Sequence, residues 1–172
     1  MSEPITTRIQ RFEDERGWFM SSFSEQHPQV DWKTQNTSYS RKGTLRGLHY
    51  QAIHPQAKLV TVLEGEITDI IIDIDSESET FGEWQRFRLS SDDEELPNQI
   101  YVPNHYAHGF AVTSETALIS YLTDELYYPS DECSIHPLSS SLALPWGLEN
   151  PILSLRDSEA EEWSLTAFRD QV

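Results

Sequence analysis

Cysteine and lysine are both scarce in this sequence. Among its 172 residues the chain has one cysteine, Cys133, which excludes an intramolecular disulfide and a cysteine cluster for zinc. Its lysines are Lys33, Lys42 and Lys58, and 29 acidic residues against 12 lysines and arginines give a net charge of −17. This excess of negative charge argues against sequence-independent binding to nucleic acid or to an anionic membrane, because both need surplus cations.

Long apolar runs and the His-x-His pattern are missing as well. No apolar stretch approaches the about 20 residues of a membrane span, and no basic-then-apolar leader begins the sequence, so we expect a cytoplasmic protein. Proteins with a double-stranded β-helix fold often bind a divalent metal through a His-x-His pair, a carboxylate a few residues later and a further histidine. Here His49 and His54 lie five residues apart, and His105 and His108 lie three apart. We therefore expect no metal. A metal site would remain as an alternative if His49, His54 and His108 converge in space.

The pattern of the chain predicts one all-β domain over residues 1–172. A hydrophobic content of 37% is enough for a single core. Short apolar runs separated by turn residues indicate a sandwich or jelly roll, in which Lys58–Leu63 and Glu66–Asp75 look like a hairpin. The polar segment Thr34–Ser40 suits an edge strand or a strand lining a cleft. One short C-terminal helix is predicted, over Ser158–Phe168.

The segment Gly43–Gln51 holds the strongest signal for chemistry. His49 is the type of side chain that accepts a proton near neutral pH. Lys58 follows within an apolar strand pattern, where an ammonium without a partner is costly. Arg46 lies three residues before His49, so a regular strand would turn these two side chains to opposite faces. In so acidic a chain, cations beside a histidine indicate a local site for an anion.

Seven short motifs lie along the chain: Asp14-Glu15-Arg16-Gly17, Asn36-Thr37-Ser38, Leu45-Arg46-Gly47-Leu48-His49-Tyr50-Gln51, Gln56-Ala57-Lys58-Leu59-Val60, Thr80-Phe81-Gly82, Ala107-His108-Gly109-Phe110 and Leu153-Ser154-Leu155-Arg156-Asp157. In order and spacing they resemble one family, the dTDP-4-dehydrorhamnose 3,5-epimerases. The resemblance covers nearly the whole chain, and Arg-Gly-Leu-His with Ala-His-Gly-Phe is its most specific part. It implies a cupin-like double-stranded β-helix jelly roll, no cofactor, a nucleotide-sugar substrate and a homodimer with swapped N-terminal strands.

The resemblance also implies catalytic roles for four residues. His49 matches the family's catalytic base, and Asp157 matches the carboxylate that orients it. Lys58 matches the residue at the ketone oxygen of the substrate, and Tyr121 matches the tyrosine that returns a proton from the opposite face. Two alternatives remain from the residues alone: Asp157 as the cap of a helix, and Tyr121 as an ordinary core aromatic.

Five further residues match substrate contacts of the family. Arg46 and Arg16 match phosphate-binding arginines, with Arg16 reaching across the dimer. Asn36, His108 and Tyr127 match other residues of the cleft, although His108 has a structural reading in which Gly109 marks a bulge.

Three places in or near the nucleotide-sugar contacts depart from the family pattern. One of them is His136-Pro137-Leu138-Ser139, where relatives often have an aromatic residue and acidic residues before proline. Ser21 stands where a glutamate is usual, and Thr34 stands where a glutamine is usual. The nucleotide base and the sugar therefore stay open.

We expect an enzyme that inverts C3 and C5 of a nucleotide-linked 4-keto-6-deoxyhexose. Its alternatives are a single-centre epimerase, a ketoisomerase on another nucleotide sugar, a non-catalytic sugar-nucleotide-binding cupin and a metal-dependent cupin.

Overall fold

The computed structural model describes residues 2–23 and 30–164, and the regular secondary structure in this part of the chain is twelve strands and one short helix. This confirms the predicted all-β class. The elements are β1 (Ile5–Thr7), β2 (Arg11–Asp14), β3 (Gly17–Met20), β4 (Thr34–Arg41), β5 (Leu45–Gln51), β6 (Lys58–Glu64), β7 (Glu66–Asp73), β8 (Trp84–Ser90), β9 (Gln99–Val102), β10 (Tyr106–Val112), β11 (Thr116–Thr123), β12 (Glu132–Ser134) and α1 (Leu155–Ser158).

Two antiparallel five-stranded sheets form the body of the jelly roll. The first sheet has the order β1-β9-β6-β11-β4, and the second has the order β12-β5-β10-β7-β8. Strands β2 and β3 form a separate two-stranded ribbon. The polar strand β4 lies at an edge of the first sheet, which confirms the prediction for Thr34–Ser40.

The predicted hairpin between β6 and β7 is wrong. Both strands exist, but β6 pairs with β9 and β11, whereas β7 pairs with β8 and β10 in the other sheet. Gly65 joins them with φ of +85°, and a Cβ there would lie 2.1 Å from the carbonyl oxygen of Thr116. The chain therefore crosses between the sheets at a point that only glycine fits.

Apolar side chains fill one end of the space between the sheets. Val62 and Ile119 from the first sheet pack with Ile67 and Val112 from the second, and all four are fully buried. A second apolar cluster covers the outer face of the second sheet, where Leu48 and Ile72 meet Ile135, Trp146 and Trp163 from the C-terminal loops. The other end of the interior is polar and opens as a cleft.

The C-terminal helix is shorter and earlier than predicted. It spans only Leu155–Ser158, and the chain from Glu159 to Ser164 is not helical. Trp163 does not lie on a helix face but is buried against the second sheet, which holds this segment in an extended path. The rest of the predicted helix, residues 165–168, lies outside the described residues. Within the described ranges, no helix is long and apolar enough to cross a membrane.

Candidate active site

A cleft opens between the two sheets at the polar end of the sandwich. Its main lobe has a volume of about 550 Å³, and a second lobe of about 300 Å³ continues past Asn36 and Tyr127. His49, Lys58, Tyr121 and Glu132 line both lobes. The strands thus bring together residues that are far apart in the sequence.

His49 and Asp157 form a hydrogen-bonded pair on one wall. His49 Nε2 lies 2.6 Å from Asp157 Oδ1, and the carboxylate side chain is 2% exposed whereas the imidazole is 32% exposed. The imidazole therefore faces the cleft with its second nitrogen free of this bond, and the carboxylate supports it from behind. This is the arrangement that fixes the orientation of a histidine acting as a base.

Asp157 is held by its own short helix. Ser154 is the N-cap of α1 and accepts a hydrogen bond from the Asp157 N–H at 3.1 Å, so Ser154, rather than Asp157, caps the helix. Burial of the Asp157 carboxyl raises its pKa, but the hydrogen bond and the charge of His49 outweigh this effect, and the pKa falls below its usual value. Asp157 is therefore a carboxylate at neutral pH.

Lys58 begins β6 on the opposite wall, in the first sheet. Burial lowers the pKa of its ammonium group to about 8, against the opposing effect of the nearby carboxylates Asp124, Glu132 and Asp69. The ion pairs within residues 2–23 and 30–164 do not include Lys58. Its charge is therefore available to a negatively charged group in the cleft.

Tyr121 and Asn36 share the wall of Lys58. Tyr121 pairs with Val60 on β6 and with Asn36 on β4, and residues paired in this way lie on the same face of a sheet. The Tyr121 side chain packs against the apolar cluster between the sheets, but it is only half-buried and also lines the cleft. The core interpretation and the cleft interpretation of Tyr121 therefore both apply.

Arg46 lies on the same cleft as His49, which overturns the expectation of opposite faces. Strand β5 is irregular here: His108 pairs with His49, but Phe110 pairs with Arg46, so the register shifts at Gly109. Gly47 has φ of +108°, and a Cβ there would lie 2.6 Å from the Gly109 Cα. The bulge returns Arg46 to the cleft, where its Nε donates to Ser40 Oγ at 3.1 Å.

A second histidine–carboxylate pair lies beside the first, and sequence reasoning missed its acidic member. His108 Nε2 is 2.8 Å from Asp69 Oδ2, and Asp69 is fully buried on β7. The signal was present in the sequence as an acidic residue inside the isoleucine-rich segment Ile67–Ile72. His108 also lines the cleft, so its buried partner and the bulge opposite Gly109 do not exclude a role there.

Glu132 and Arg156 were also missed, because nothing in the spacing of the sequence brings them together. Glu132 begins β12 and accepts a hydrogen bond from the Tyr127 hydroxyl at 2.5 Å. Arg156 forms an ion pair with the same carboxylate oxygen. The bond to Glu132 raises the pKa of Tyr127. Tyr127 itself is 55% exposed at the edge of the second lobe.

Arg16 is the one predicted site residue that this chain does not bring to the cleft. It lies in the turn between β2 and β3, its side chain is 89% exposed, and it pairs with Asp14 at 2.5 Å. A role in substrate binding would thus require another subunit.

The histidines do not converge on a metal site within the described ranges, which contain no group of three or more His, Cys, Asp or Glu that could hold an ion. His54 lies apart from His49 and His108, with its Nδ1 3.1 Å from Asp131 Oδ2 and its ring stacked on Tyr128.

Comparison with known proteins identifies the family. The family described as dTDP-4-dehydrorhamnose 3,5-epimerase matches residues 1–164. The chain belongs to this epimerase family. A dTDP-4-dehydrorhamnose 3,5-epimerase from Shigella flexneri is 37% identical over 159 residues, which cover 88% of this chain and 86% of the relative.

Solved structures of epimerases share the fold. The dTDP-6-deoxy-D-glucose-3,5-epimerase of Legionella pneumophila, in complex with dTDP-4-keto-L-rhamnose, superposes with a TM-score of 0.82 at 36% identity, covering 95% of this chain and 94% of that one. A 3'-monoepimerase of Streptomyces bikiniensis, in complex with dTDP-quinovose, has a TM-score of 0.80 at 28% identity, with 95% and 84% of the two chains covered. The cupin-like jelly roll of the epimerase family is thus confirmed for this chain.

Proposed function

We propose that this protein inverts C3 and C5 of a nucleotide-linked 4-keto-6-deoxyhexose, without a metal or an organic cofactor. The observation that carries the proposal is the cleft with proton carriers on both walls. His49 lies on the second sheet and is bonded to Asp157 of α1, whereas Tyr121 and Lys58 lie on the first sheet. Inversion at carbon needs a proton to leave from one face and to return to the other, so two facing groups are the minimum requirement.

His49 is the base in this mechanism. Because Nε2 is bonded to Asp157, Nδ1 carries the lone pair that removes a proton from the carbon next to the ketone. The buried Asp157 carboxylate then stabilises the imidazolium that forms.

Lys58 addresses the low acidity of the substrate. A carbon acid next to a ketone lies roughly ten or more pKa units above imidazole, which corresponds to on the order of 14 kcal/mol of uphill proton transfer. An ammonium beside the ketone oxygen stabilises the negative charge that develops as the C–H bond breaks. The absence of a carboxylate partner for Lys58 among the described ion pairs supports this role.

Tyr121 donates the proton on the opposite face. It shares its wall with Lys58 because Tyr121 pairs with Val60, two residues along β6. The intermediate enolate would lie between this tyrosine and His49.

Substrate binding is assigned to the remaining cleft residues. Arg46 would hold phosphate, and Asn36, His108 and Tyr127 would contact the sugar nucleotide; all four line the lobes of the cleft. Complexes of relatives with dTDP-4-keto-L-rhamnose and dTDP-quinovose support a dTDP-sugar substrate.

A homodimer with exchanged N-terminal strands would complete the site. The β2–β3 ribbon exposes Phe12, Trp18 and Phe19, and it carries Arg16 away from the cleft of its own chain. A partner subunit would cover these apolar side chains and receive Arg16.

We further assign the chain as a single domain over residues 1–172 that acts in the cytoplasm.

The function is tested by proton exchange. The protein is incubated in D2O with dTDP-4-keto-6-deoxyglucose, and deuterium at C3 and C5 is followed by NMR. Deuterium at both carbons, absent with His49→Asn, is the expected result. No exchange at either carbon with folded protein would contradict the proposal.

A single-centre epimerase is the second candidate, because the monoepimerase of Streptomyces bikiniensis shares the fold. Deuterium at only one carbon would establish this alternative.

A further inference from the structure

We propose that Arg156 is a positioning residue that holds the His49–Asp157 pair in register by tying α1 to β12 through Glu132. This role rests on the proposed function, in which His49 is the base, although the contacts between Arg156 and Glu132 are present whatever the function is.

Helix α1 has little of its own to keep it in place. It has four residues, which is far too short to be stable in isolation, so tertiary contacts must fix its position. Those contacts are not apolar: Leu155 is 73% exposed, and Asp157 is the buried residue of the helix. The orientation of Asp157 therefore depends on polar contacts.

Arg156 supplies two of these contacts. Its Nη1 pairs with the Glu132 carboxylate, and its Nη2 donates to the Glu132 backbone carbonyl at 2.8 Å. A planar guanidinium that bonds two acceptors on one residue fixes both distance and angle. The side chain of Glu132 is 16% exposed, so solvent screens this ion pair less than it would a surface pair.

Glu132 and His49 lie on the same two-stranded ladder. Ser134 pairs with His49 and Glu132 pairs with Gln51, so Glu132 and His49 are on one face of adjacent strands. Arg156 and Asp157 are neighbours on α1 and reach Glu132 and His49, respectively. Two adjacent contacts, Arg156–Glu132 and Asp157–His49, thus join the helix to strands β12 and β5. The Arg156–Glu132 contact therefore restricts the position of Asp157 relative to His49.

The same ion pair controls the charge of the cleft. Glu132 lines both lobes and acts electrostatically on Lys58. Arg156 and the Tyr127 hydroxyl offset its negative charge. Without Arg156, an uncompensated carboxylate would face the cleft, and α1 would lose its outer attachment.

The experiment compares Arg156→Ala and Arg156→Lys with Arg88→Ala. Arg88 is a matched control, because it also pairs with a glutamate, Glu66, at 3.0 Å and has a 53% exposed side chain against 44% for Arg156, but it does not line the cleft. The first readout is the proton NMR signal of the hydrogen bond between His49 and Asp157, assigned by its loss in Asp157→Asn. This readout needs no substrate, so it stands even if the proposed function fails.

We expect Arg156→Ala to broaden this signal or to speed its exchange with water at least tenfold. Arg156→Lys should restore the signal in part, since lysine keeps the charge but cannot bond both acceptors of Glu132 with two coplanar nitrogens. Arg88→Ala should leave the signal unchanged. With substrate, kcat of Arg156→Ala should fall about tenfold with KM changed less than threefold, because a misplaced base slows the chemistry more than binding. An intact signal in a folded Arg156→Ala protein, or a rise in KM at unchanged kcat, would overturn the proposal.

Discussion

The two ends of the sandwich interior are built from the same strands but hold opposite kinds of side chain. At the closed end, Val62 and Ile119 pack against Ile67 from the other sheet with no exposure. At the open end, the same strands β6 and β11 carry Lys58 and Tyr121. The alternation of a strand determines which residues face inward, but position along the strand determines whether an inward residue serves the core or the cleft. The expected effects of substitution at the two ends therefore differ in kind.

The largest effect is expected at the open end, on activity. Asp157→Asn should lower the rate of deuterium exchange on the order of 10³-fold, because an amide cannot stabilise the imidazolium of His49. The free energy of unfolding at neutral pH should also fall, because the lowered pKa of Asp157 means that its carboxylate stabilises the folded protein, but the loss of activity should be the larger effect. Exchange rates and urea denaturation on the same preparation measure both quantities, and a variant with parental exchange would remove Asp157 from the mechanism.

At the closed end, the effect should fall on stability. Ile119→Ala removes a fully buried side chain between the sheets and should cost about 3 kcal/mol of unfolding free energy. At a temperature where the variant stays folded, kcat should remain within about threefold of the parent. The measurement is chemical denaturation followed by steady-state kinetics. A loss of activity as large as that of Asp157→Asn would show that the two ends are not separable.

Lys58→Met should raise stability and abolish activity, so it should affect both quantities in opposite directions. The pKa of Lys58 falls to about 8 in the folded protein, so between pH 8 and the ordinary lysine value of 10.5 the unfolded state binds more protons. Stability therefore rises with pH across this window, and below it the charged Lys58 opposes folding.

Replacing Lys58 with methionine should thus raise stability at pH 7 by on the order of 1–2 kcal/mol while abolishing exchange. This gain should disappear above pH 10.5. Denaturation at pH 7 and at pH 11 checks the prediction, and a variant that is less stable than the parent at pH 7 would refute it. In the parent, kcat/KM should decline as pH rises through about 8, because the ammonium loses its proton.

Local patterns were sufficient to predict most strands but not how they pair. The strand segments that begin at Lys58 and Glu66 were recognised from their own residues, whereas their pairing depends on β9, β11, β8 and β10, which lie far along the chain. A tight turn at Gly65 looks like a hairpin in sequence, although it connects two sheets. Similarly, the short helix depends on contacts of Arg156 and Asp157, so helical periodicity was a poor guide to its position.

For the candidate site as well, sequence motifs identified individual residues but not the contacts that depend on strand pairing. His49 and Lys58 were identified from their own residue types and surroundings, whereas Tyr121 and Asp157 were identified by a family resemblance. The structure brings all four to one cleft. The facing direction of Arg46 was predicted wrongly, because regular alternation fails at the bulge opposite Gly109. Asp69 and Glu132 have no motif of their own, and their partners become neighbours only after the strands have paired.

Tyr121→Phe provides the most direct test of the two-walled cleft. With His49 intact, the variant should still exchange deuterium into the substrate, but with retention of configuration, because the proton can return only from the wall that removed it. NMR of the recovered sugar in D2O distinguishes retained from inverted configuration at C3 and C5. Deuterium incorporation with retention, at an inversion rate at least 10²-fold below the parent, is the predicted result. Inversion at the parental rate would contradict a proton-donating role for Tyr121 and, with it, the account of a proton carrier on each wall.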